Sequence, residues 1–159
     1  MEFYPGYILD IDGKQYKLER YLGEGVTAVV YLASEQATQK LFAVKILRSD
    51  AGQETREAFF EERGILGELI SQGITNVPRI VASKIADKPG EVTFLIQEYV
   101  NPDEYIPLDR YLDQKGRLSE IDVLSIAVPA LELLKILHEK VKRTYVDMQL
   151  KNFCWLSKP

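Results

Sequence analysis

Short β-rich runs separated by turn residues fill most of the first hundred residues, and this pattern constrains the fold more than any other feature. The first run ends at Gly23-Glu24-Gly25, and Asp87-Lys88-Pro89-Gly90 separates the last two. Runs rich in β-branched and aromatic residues, bounded by such turns, predict strands. The predicted strands are residues 16–22, 29–33, 41–47, 79–85 and 92–99.

One helix is predicted between the third and fourth of these strands, over residues 54–72, with Gly73 able to end it. Its apolar residues at roughly helical spacing are Phe59, Leu66, Leu69 and Ile70. Gly64 and Gly67 each lower the helix propensity by about 1 kcal/mol relative to alanine. We therefore expect this helix to depend on packing against the sheet.

After residue 99 the pattern becomes helical. A short helix is predicted over residues 107–115, and a longer, largely apolar one over residues 119–140. Ser119, with Asp122 three residues later, resembles a capping box that opens the longer helix. Pro129 should kink that helix or remove one of its hydrogen bonds.

A glycine-containing segment, Gly23-Glu24-Gly25, lies between the first two predicted strands. Glycines in a tight hairpin allow backbone N–H groups to approach phosphate oxygens closely. An ordinary glycine-containing hairpin is the alternative, and the pattern alone does not decide between the two.

Lys45 lies inside the third predicted strand, in Ala43-Val44-Lys45. An unpaired buried ammonium would be costly, so a lysine here either points outward to solvent or has an acidic partner. Glu61 and Glu62 on the predicted helix are acidic candidates. The spacing adds weight to the second possibility, because Lys45 follows Gly23 by 22 residues and Val30 by 15.

Two polar residues, Asp147 and Asn152, stand five positions apart after the long predicted helix. Such a pair is common by chance and carries little information alone. The apolar run 94–97, which leads into Glu98, is likewise ambiguous, since it is also typical of an ordinary core strand.

In this order and spacing, the motifs resemble those of the eukaryotic-type protein kinase family over about residues 16–156. The resemblance implies an α+β fold. Residues 1–100 would form a small N-lobe, a five-stranded antiparallel sheet with one helix. Residues 101–159 would form an incomplete C-lobe with its first helices and the catalytic loop.

The resemblance further implies ATP and Mg²⁺ as ligands and a protein Ser/Thr hydroxyl as the default substrate. The implied catalytic residues are Asp147, which would accept the substrate proton, and Lys45 paired with Glu62. Asn152 is the implied magnesium ligand. Gln97 would be the gatekeeper, and the backbone near Glu98 and Val100 would bind adenine. The implied nucleotide-binding residues are Leu22, Gly23, Gly25, Val30, Ala43, Lys45, Gln97, Glu98 and Val100.

The chain departs from the family pattern in its catalytic loop. Tyr145 and Val146 replace the histidine and arginine, and Gln149 stands where a lysine is expected. The 159 residues also contain no Asp-Phe-Gly segment, which carries the main magnesium contact in the family. We therefore expect the chain alone to have little or no activity. A pseudokinase-like nucleotide-binding or protein-interaction module is the alternative function, and an unrelated α+β domain is the third possibility.

Composition and charge limit the cellular compartment and the classes of partner that we expect. The net charge of −4 disfavours a nucleic-acid interface. The single cysteine, Cys154, suits a reducing compartment, and no apolar window is long enough to span a membrane, so we expect a cytoplasmic protein. The apolar face of helix 119–140 predicts a partner chain or a homo-oligomer.

Overall fold

The structure is a computed structural model that describes residues 3–86, 91–144 and 148–156. The chain divides into two compact units, Met1–Tyr99 and Val100–Pro159. Each unit is described by itself below. The turn predicted at residues 87–90 lies outside the described residues.

The first unit is a six-stranded antiparallel sheet with one helix, in the order β1-β2-β3-β4-β6-β5. Its strands are β1 (Ile8–Ile11), β2 (Lys14–Glu24), β3 (Ala28–Glu35), β4 (Leu41–Leu47), β5 (Ile80–Lys84) and β6 (Phe94–Glu98). The helix α1 (Gln53–Ser71) connects β4 to β5. The five predicted strands and the predicted helix are all present.

The predicted strand count of five is wrong, because β1 precedes the first predicted strand. It pairs with the start of β2 across the two-residue turn Asp12-Gly13, whose φ angles are +53° and +76°. Positive φ at both central residues defines the type I′ turn that closes two-residue hairpins, and Asp-Gly is one of its preferred sequences. The Asp12-Gly13 turn therefore adds β1 to the edge of the sheet as a sixth strand.

The two faces of the sheet contribute to two different hydrophobic clusters. One face holds the larger apolar cluster, with fully buried side chains that include Leu18, Val44 and Ile96. The opposite face packs against α1 through a smaller cluster of Ala28, Leu47, Phe59 and Leu95. Neighbouring residues along a strand point to opposite faces, so β4 contributes Val44 to one cluster and Leu47 to the other.

The described part of the second unit contains a short strand pair, two α-helices, a π-helical turn and a 3-10 turn at Leu150–Asn152. Its strands are β7 (Tyr105–Pro107) and β8 (Cys154–Leu156), and its helices are α2 (Leu108–Lys115) and α3 (Glu120–Ile136), followed by a π-helical turn, Leu137–Val141. The β7–β8 pair was not predicted. Both strands have three residues, too short for an alternating pattern to show in the sequence.

The capping box at the start of α3 is confirmed: Ser119 Oγ accepts from the Asp122 N–H, and the Asp122 carboxylate accepts from the Ser119 N–H. The hydrogen bonds from Ser119 lower the pKa of Asp122. Pro129 lies within α3, which continues to Ile136. No α3 residue is fully buried within the described part of the chain, and Ile121 and Leu131 are 76% and 63% exposed.

Across residues 3–86, 91–144 and 148–156, the structure contains no helix that combines the length and apolarity of a membrane span.

Candidate functional site

An ion pair between β4 and α1 is the central feature of the first unit. Lys45 Nζ donates to both carboxylate oxygens of Glu62, at 2.5 and 2.6 Å. The Lys45 side chain is 18% exposed and that of Glu62 is 37% exposed, so the ion pair is partly buried and still accessible to solvent. The outward-facing alternative for Lys45 is therefore wrong, and Glu62 is its acidic partner.

Phe59 explains why Glu62 reaches this lysine. Its side chain is 1% exposed and packs against the sheet among Ala28, Leu47 and Leu95. Residues three apart on a helix lie on the same face. Docking of Phe59 on the sheet therefore directs Glu62 toward the same surface, where Lys45 stands.

The strand register brings several predicted site residues onto this surface. Directly opposite residues of an antiparallel pair project to the same face. The opposed pairs are Val30 with Lys45, Leu32 with Ala43, Ala43 with Gln97, and Lys45 with Leu95. The sheet therefore presents one continuous face on which the small Ala43 side chain has Gln97 beside it on β6 and Lys45 two positions along β4. We call it the lysine face.

The glycine segment joins β2 to β3 at the edge of the lysine face. Gly23 stands opposite Val30 with φ +156°, a value that side-chain-bearing residues rarely adopt. The Gly25 N–H donates to the Ala28 carbonyl at 2.9 Å, so it closes the hairpin and is not a free donor. A Cβ at Gly25 would meet no atom within 4 Å, which leaves open space over this residue.

Arg48, just after β4, ties the glycine segment to the rest of the sheet. Its backbone N–H donates to the Thr27 carbonyl at 3.2 Å, and its guanidinium lies 3.9 Å from Glu24. It also donates two hydrogen bonds to Asp50, which lower the pKa of that carboxyl. Sequence reasoning missed Arg48, although the Arg-Ser-Asp spacing between β4 and α1 was visible.

Gln97 is unusual in its hydrogen bonding. Its Oε1 is buried and has no hydrogen-bond partner. Buried polar atoms are nearly always paired, so an unpaired carbonyl oxygen on the residue opposite Ala43 needs an explanation.

The remaining predicted base-binding residues are placed as follows. The Glu98 N–H donates to the Arg79 carbonyl at 2.9 Å, and the Glu98 carboxylate accepts from the Arg79 N–H at 3.2 Å. Leu22 lies at an irregularity between Tyr21 and Gly23 and has no opposed partner in the register. Val100 is the first residue of the second unit.

The second unit holds Asn152 at the end of a 3-10 turn, Leu150–Asn152. Its backbone N–H donates to the Gln149 carbonyl at 2.9 Å. The chain beyond it is fixed by β8, where Trp155 stacks on Tyr111 of α2 with ring centroids 5.6 Å apart. Asp147 lies outside the described residues. Where side chains are described, no group of three or more His, Cys, Asp or Glu residues could hold a metal ion.

A family model described as the protein kinase domain matches residues 16–158. The chain therefore belongs to the protein kinase domain family, which confirms the resemblance read from its motifs. The fold agrees: the chain resembles the crystal structure of the BubR1 kinase domain with a TM-score of 0.63 and 16% identity, over 85% of this chain and 39% of that one.

Serine/threonine kinases are among its relatives. The chain is 32% identical over 134 residues to the serine/threonine-protein kinase PksC of Streptomyces coelicolor, covering 80% of this chain and 23% of the relative. It is 29% identical over 136 residues to myosin light chain kinase A of Dictyostelium discoideum, covering 81% and 43%. It is also 29% identical over 140 residues to the calcium/calmodulin-dependent protein kinase type IV of Homo sapiens, covering 85% and 27%. The chain thus spans less than half the length of each of these relatives.

Proposed function

We propose that the lysine face binds ATP with Mg²⁺, and that the chain is the nucleotide-binding part of a kinase that phosphorylates protein Ser/Thr hydroxyls. The observation that carries this proposal is the Lys45–Glu62 ion pair on a face that also presents Ala43 and Gln97. In protein kinases such a pair holds the lysine against the nucleotide phosphates.

Two further features support a nucleotide on this face. The open space over Gly25 leaves room for a phosphate beside the glycine segment. The unpaired Gln97 Oε1 supplies an acceptor on the residue opposite Ala43, beside which a base would stack. Val30 and Ala43 would line the base site together with Leu22, and the backbone at Glu98 and Val100 would complete it.

The chemical step would need residues of the second unit. Asp147 would accept the proton of the substrate hydroxyl, and Asn152 would bind magnesium. When bound, the metal neutralises charge on the phosphates. Because the 159 residues contain no Asp-Phe-Gly segment, we propose that the chain alone transfers phosphate slowly or not at all.

A nucleotide-binding module without transfer activity is the second candidate function. Gln149 favours it, because the lysine expected there would stabilise the transferring phosphoryl group. This candidate uses the same lysine face, so the two functions differ in the chemical step and agree on binding.

The test is titration of the chain with ATP by calorimetry, with and without Mg²⁺. Saturable binding that Lys45→Ala weakens at least tenfold is expected. Lys40→Ala is the matched control: this lysine lies next to β4 but over the Phe42 ring, and its loss should leave affinity unchanged. No binding at millimolar ATP, or equal binding by the Lys45→Ala variant, would refute the proposal. Both candidate functions expect little or no phosphate transfer by the chain alone. A phosphate-transfer assay on the same samples tests this expectation, and rapid transfer would refute it and exclude the module without transfer activity.

We also propose that α3 mediates self-association of the chain, since an apolar helix face this exposed usually has a partner. Light scattering at tens of micromolar should give a mass above the monomer mass of 18.2 kDa. Leu131→Lys should lower it and the matched Glu132→Lys should not. A monomeric wild-type chain would exclude this role.

A further inference from the structure

We propose that a cavity at one end of the sheet binds a small ligand with an apolar body and a single carboxylate group. The cavity has a volume of about 310 Å³. It is lined by residues of β3, β4 and α1 and by the segments that precede β1 and β6. The inference goes beyond the proposed function and does not depend on it, because it concerns a different surface of the first unit.

The apolar lining comes from the face of the sheet opposite the lysine face. Val29 stands directly opposite Ile46 in the register, and both line the cavity. Phe3 and Val92 also line it and pack against the larger apolar cluster of that face. Ile46 follows Lys45 on β4, and neighbouring residues of a strand project to opposite faces. The cavity therefore lies on the side of the sheet to which the Lys45 side chain does not project.

The volume of the cavity sets the size of ligand it can take. A cavity of about 150 Å³ already holds benzene, so 310 Å³ has room for about a dozen non-hydrogen atoms. Small-molecule pockets begin at about 300 Å³ and combine an apolar lining with a few polar groups that orient the ligand. One aromatic ring with a short acid chain fits this size.

Phe3 forms a wall of the cavity that lies outside the family match, which begins at residue 16. The Tyr31 hydroxyl donates to the Phe3 carbonyl at 2.9 Å, and the Phe3 ring packs edge-on against Tyr7 with centroids 5.1 Å apart. The Tyr7 carbonyl in turn accepts from the Leu18 N–H at 2.8 Å. These contacts fix the wall to the sheet, so the cavity depends on a segment of this chain that precedes the matched domain.

Two arginines line the cavity, and they differ in their ion pairs. Arg48 donates two hydrogen bonds to Asp50 and lies 3.9 Å from Glu24. Arg56 of α1 takes part in none of the ion pairs formed by the described residues. Its Nε donates to the Ala51 carbonyl at 3.3 Å, which leaves its two terminal nitrogens for a ligand. Two parallel N–H donors of a guanidinium match the two oxygens of one carboxylate.

The charge of the lining favours a ligand with a single negative charge. Glu91 lines the cavity as well, and it would repel a dianion such as a phosphate monoester more strongly than a carboxylate. Arg48 offers little compensation, because its charge is already matched by Asp50. Arg56 is exposed whereas Ile46 is 2% exposed, so the cavity has an apolar interior and a cation on its solvent side. An acid group at the outer end of an apolar ligand fits this arrangement.

The test measures the Kd values of 3-phenylpropanoate and of its neutral amide, 3-phenylpropanamide, for the 159-residue chain without nucleotide. Calorimetry or ligand-observed NMR is suitable, and we expect a Kd below about 1 mM for the acid. The amide should bind about three- to tenfold more weakly, the value of a partly solvated charge-assisted contact. Arg56→Gln should weaken the acid to the level of the amide and leave the amide unchanged.

Two further variants make the result specific. Arg63→Gln is the matched control, since Arg63 is an exposed arginine of the same helix that does not line the cavity, and its loss should leave the Kd of the acid unchanged. Val92→Phe places a ring in the cavity and should abolish binding of both the acid and the amide. Far-UV circular dichroism verifies that each variant is folded, and the comparison of Arg56→Gln with Arg63→Gln stands without Val92→Phe.

Several outcomes would overturn the proposal. Equal binding of acid and amide, or equal weakening by Arg56→Gln and Arg63→Gln, would exclude a carboxylate site at Arg56. Loss of acid binding in Lys45→Ala would place the acid on the lysine face. N-acetyl-Gly-Gly-Phe carries the same phenyl and carboxylate groups at the end of a peptide, and tighter binding of this peptide than of the free acid would make a small-molecule ligand wrong. Binding of the acid by a chain that does not bind ATP would support this site while the proposed function fails.

Discussion

Replacing Phe59 by alanine should loosen α1 from the sheet and separate Glu62 from Lys45. Phe59 and Leu69 are the two buried residues of this 19-residue helix. Phe59 is the aromatic residue among the buried members of the cluster between α1 and the sheet, whose other buried members are Ala28, Leu47 and Leu95. The attachment of α1 therefore depends heavily on one side chain.

The burial of Phe59 sets the unfolding free energy that Phe59→Ala should lose. Phe59 is 1% exposed, and truncation of a fully buried phenylalanine to alanine typically costs about 3–5 kcal/mol of unfolding free energy. A domain of this size usually has about 5–15 kcal/mol in total. At about 2–4 °C per kcal/mol, a loss of 3 kcal/mol lowers Tm by roughly 6–12 °C. A helix released at Phe59 also carries Glu62 away from the lysine face, so ATP affinity should fall too.

The assay is urea and thermal unfolding followed by far-UV circular dichroism, with Phe60→Ala as the matched control. Phe60 is the neighbouring aromatic residue, only partly buried, and its ring contacts that of Phe59 with centroids 6.2 Å apart. Its truncation should cost clearly less. An equal or larger loss for Phe60→Ala, or an unchanged Tm for Phe59→Ala, would refute the argument that Phe59 docks this helix.

Two further perturbations test the β1–β2 turn and the cap of α3. Gly13→Ala should destabilise the chain by about 1–2 kcal/mol through its positive φ alone, since an added Cβ meets nothing within 4 Å. Gly64→Ala lies within α1, where an added Cβ also meets nothing within 4 Å, and should stabilise the chain by about 0.5–1 kcal/mol. If chemical denaturation shows that both variants raise or both lower the free energy of unfolding, the role given to the positive φ of Gly13 is wrong. The pKa of Asp122 is lowered by its hydrogen bonds to Ser119, so the carboxylate stabilises the fold above its unfolded pKa of about 3.9, and this contribution is lost as pH falls through the lower folded value. The stability gap between wild type and Asp122→Ala should thus be constant near neutral pH and narrow as the pH falls below the unfolded pKa. A gap that does not change with pH would show that ionisation of Asp122 plays no part.

The sequence predicts most of the fold because its strands and helices carry strong local signals. The five predicted strands, α1, α2 and α3 all coincide with observed elements within a few residues. The missed strand β1 had a readable signal in Asp12-Gly13 between short apolar runs. The β7–β8 pair had none, because strands of three residues are defined by a partner about fifty positions away rather than by local pattern.

The sequence predicted which residues belong to the candidate site. The structure adds which of them contact one another and which of their polar groups are already hydrogen-bonded. Spacing along the chain indicated Lys45 and Glu62 through resemblance, but only the docking of α1 decides that Glu62, rather than Glu61, meets the lysine. Spacing also indicated Gly25. It could not show that the Gly25 N–H already bonds to Ala28, since that depends on how the hairpin closes. The unpaired state of Gln97 Oε1 depends on packing around the whole lysine face, which no local pattern encodes.

Apart from Val100, the residues proposed for binding lie in one unit of this chain and those proposed for chemistry lie in the other, and this division decides what a binding measurement can test. The Lys45–Glu62 pair, its support Phe59, and the amide of Gln97 all belong to the unit Met1–Tyr99. The residues proposed for metal binding and proton transfer, together with the departure at Gln149, belong to Val100–Pro159. A loss of transfer caused by the second unit therefore leaves the contacts of the lysine face intact. For this reason nucleotide affinity measured on Lys45 variants tests the site itself, whether the chain acts as an enzyme or only as a binding module.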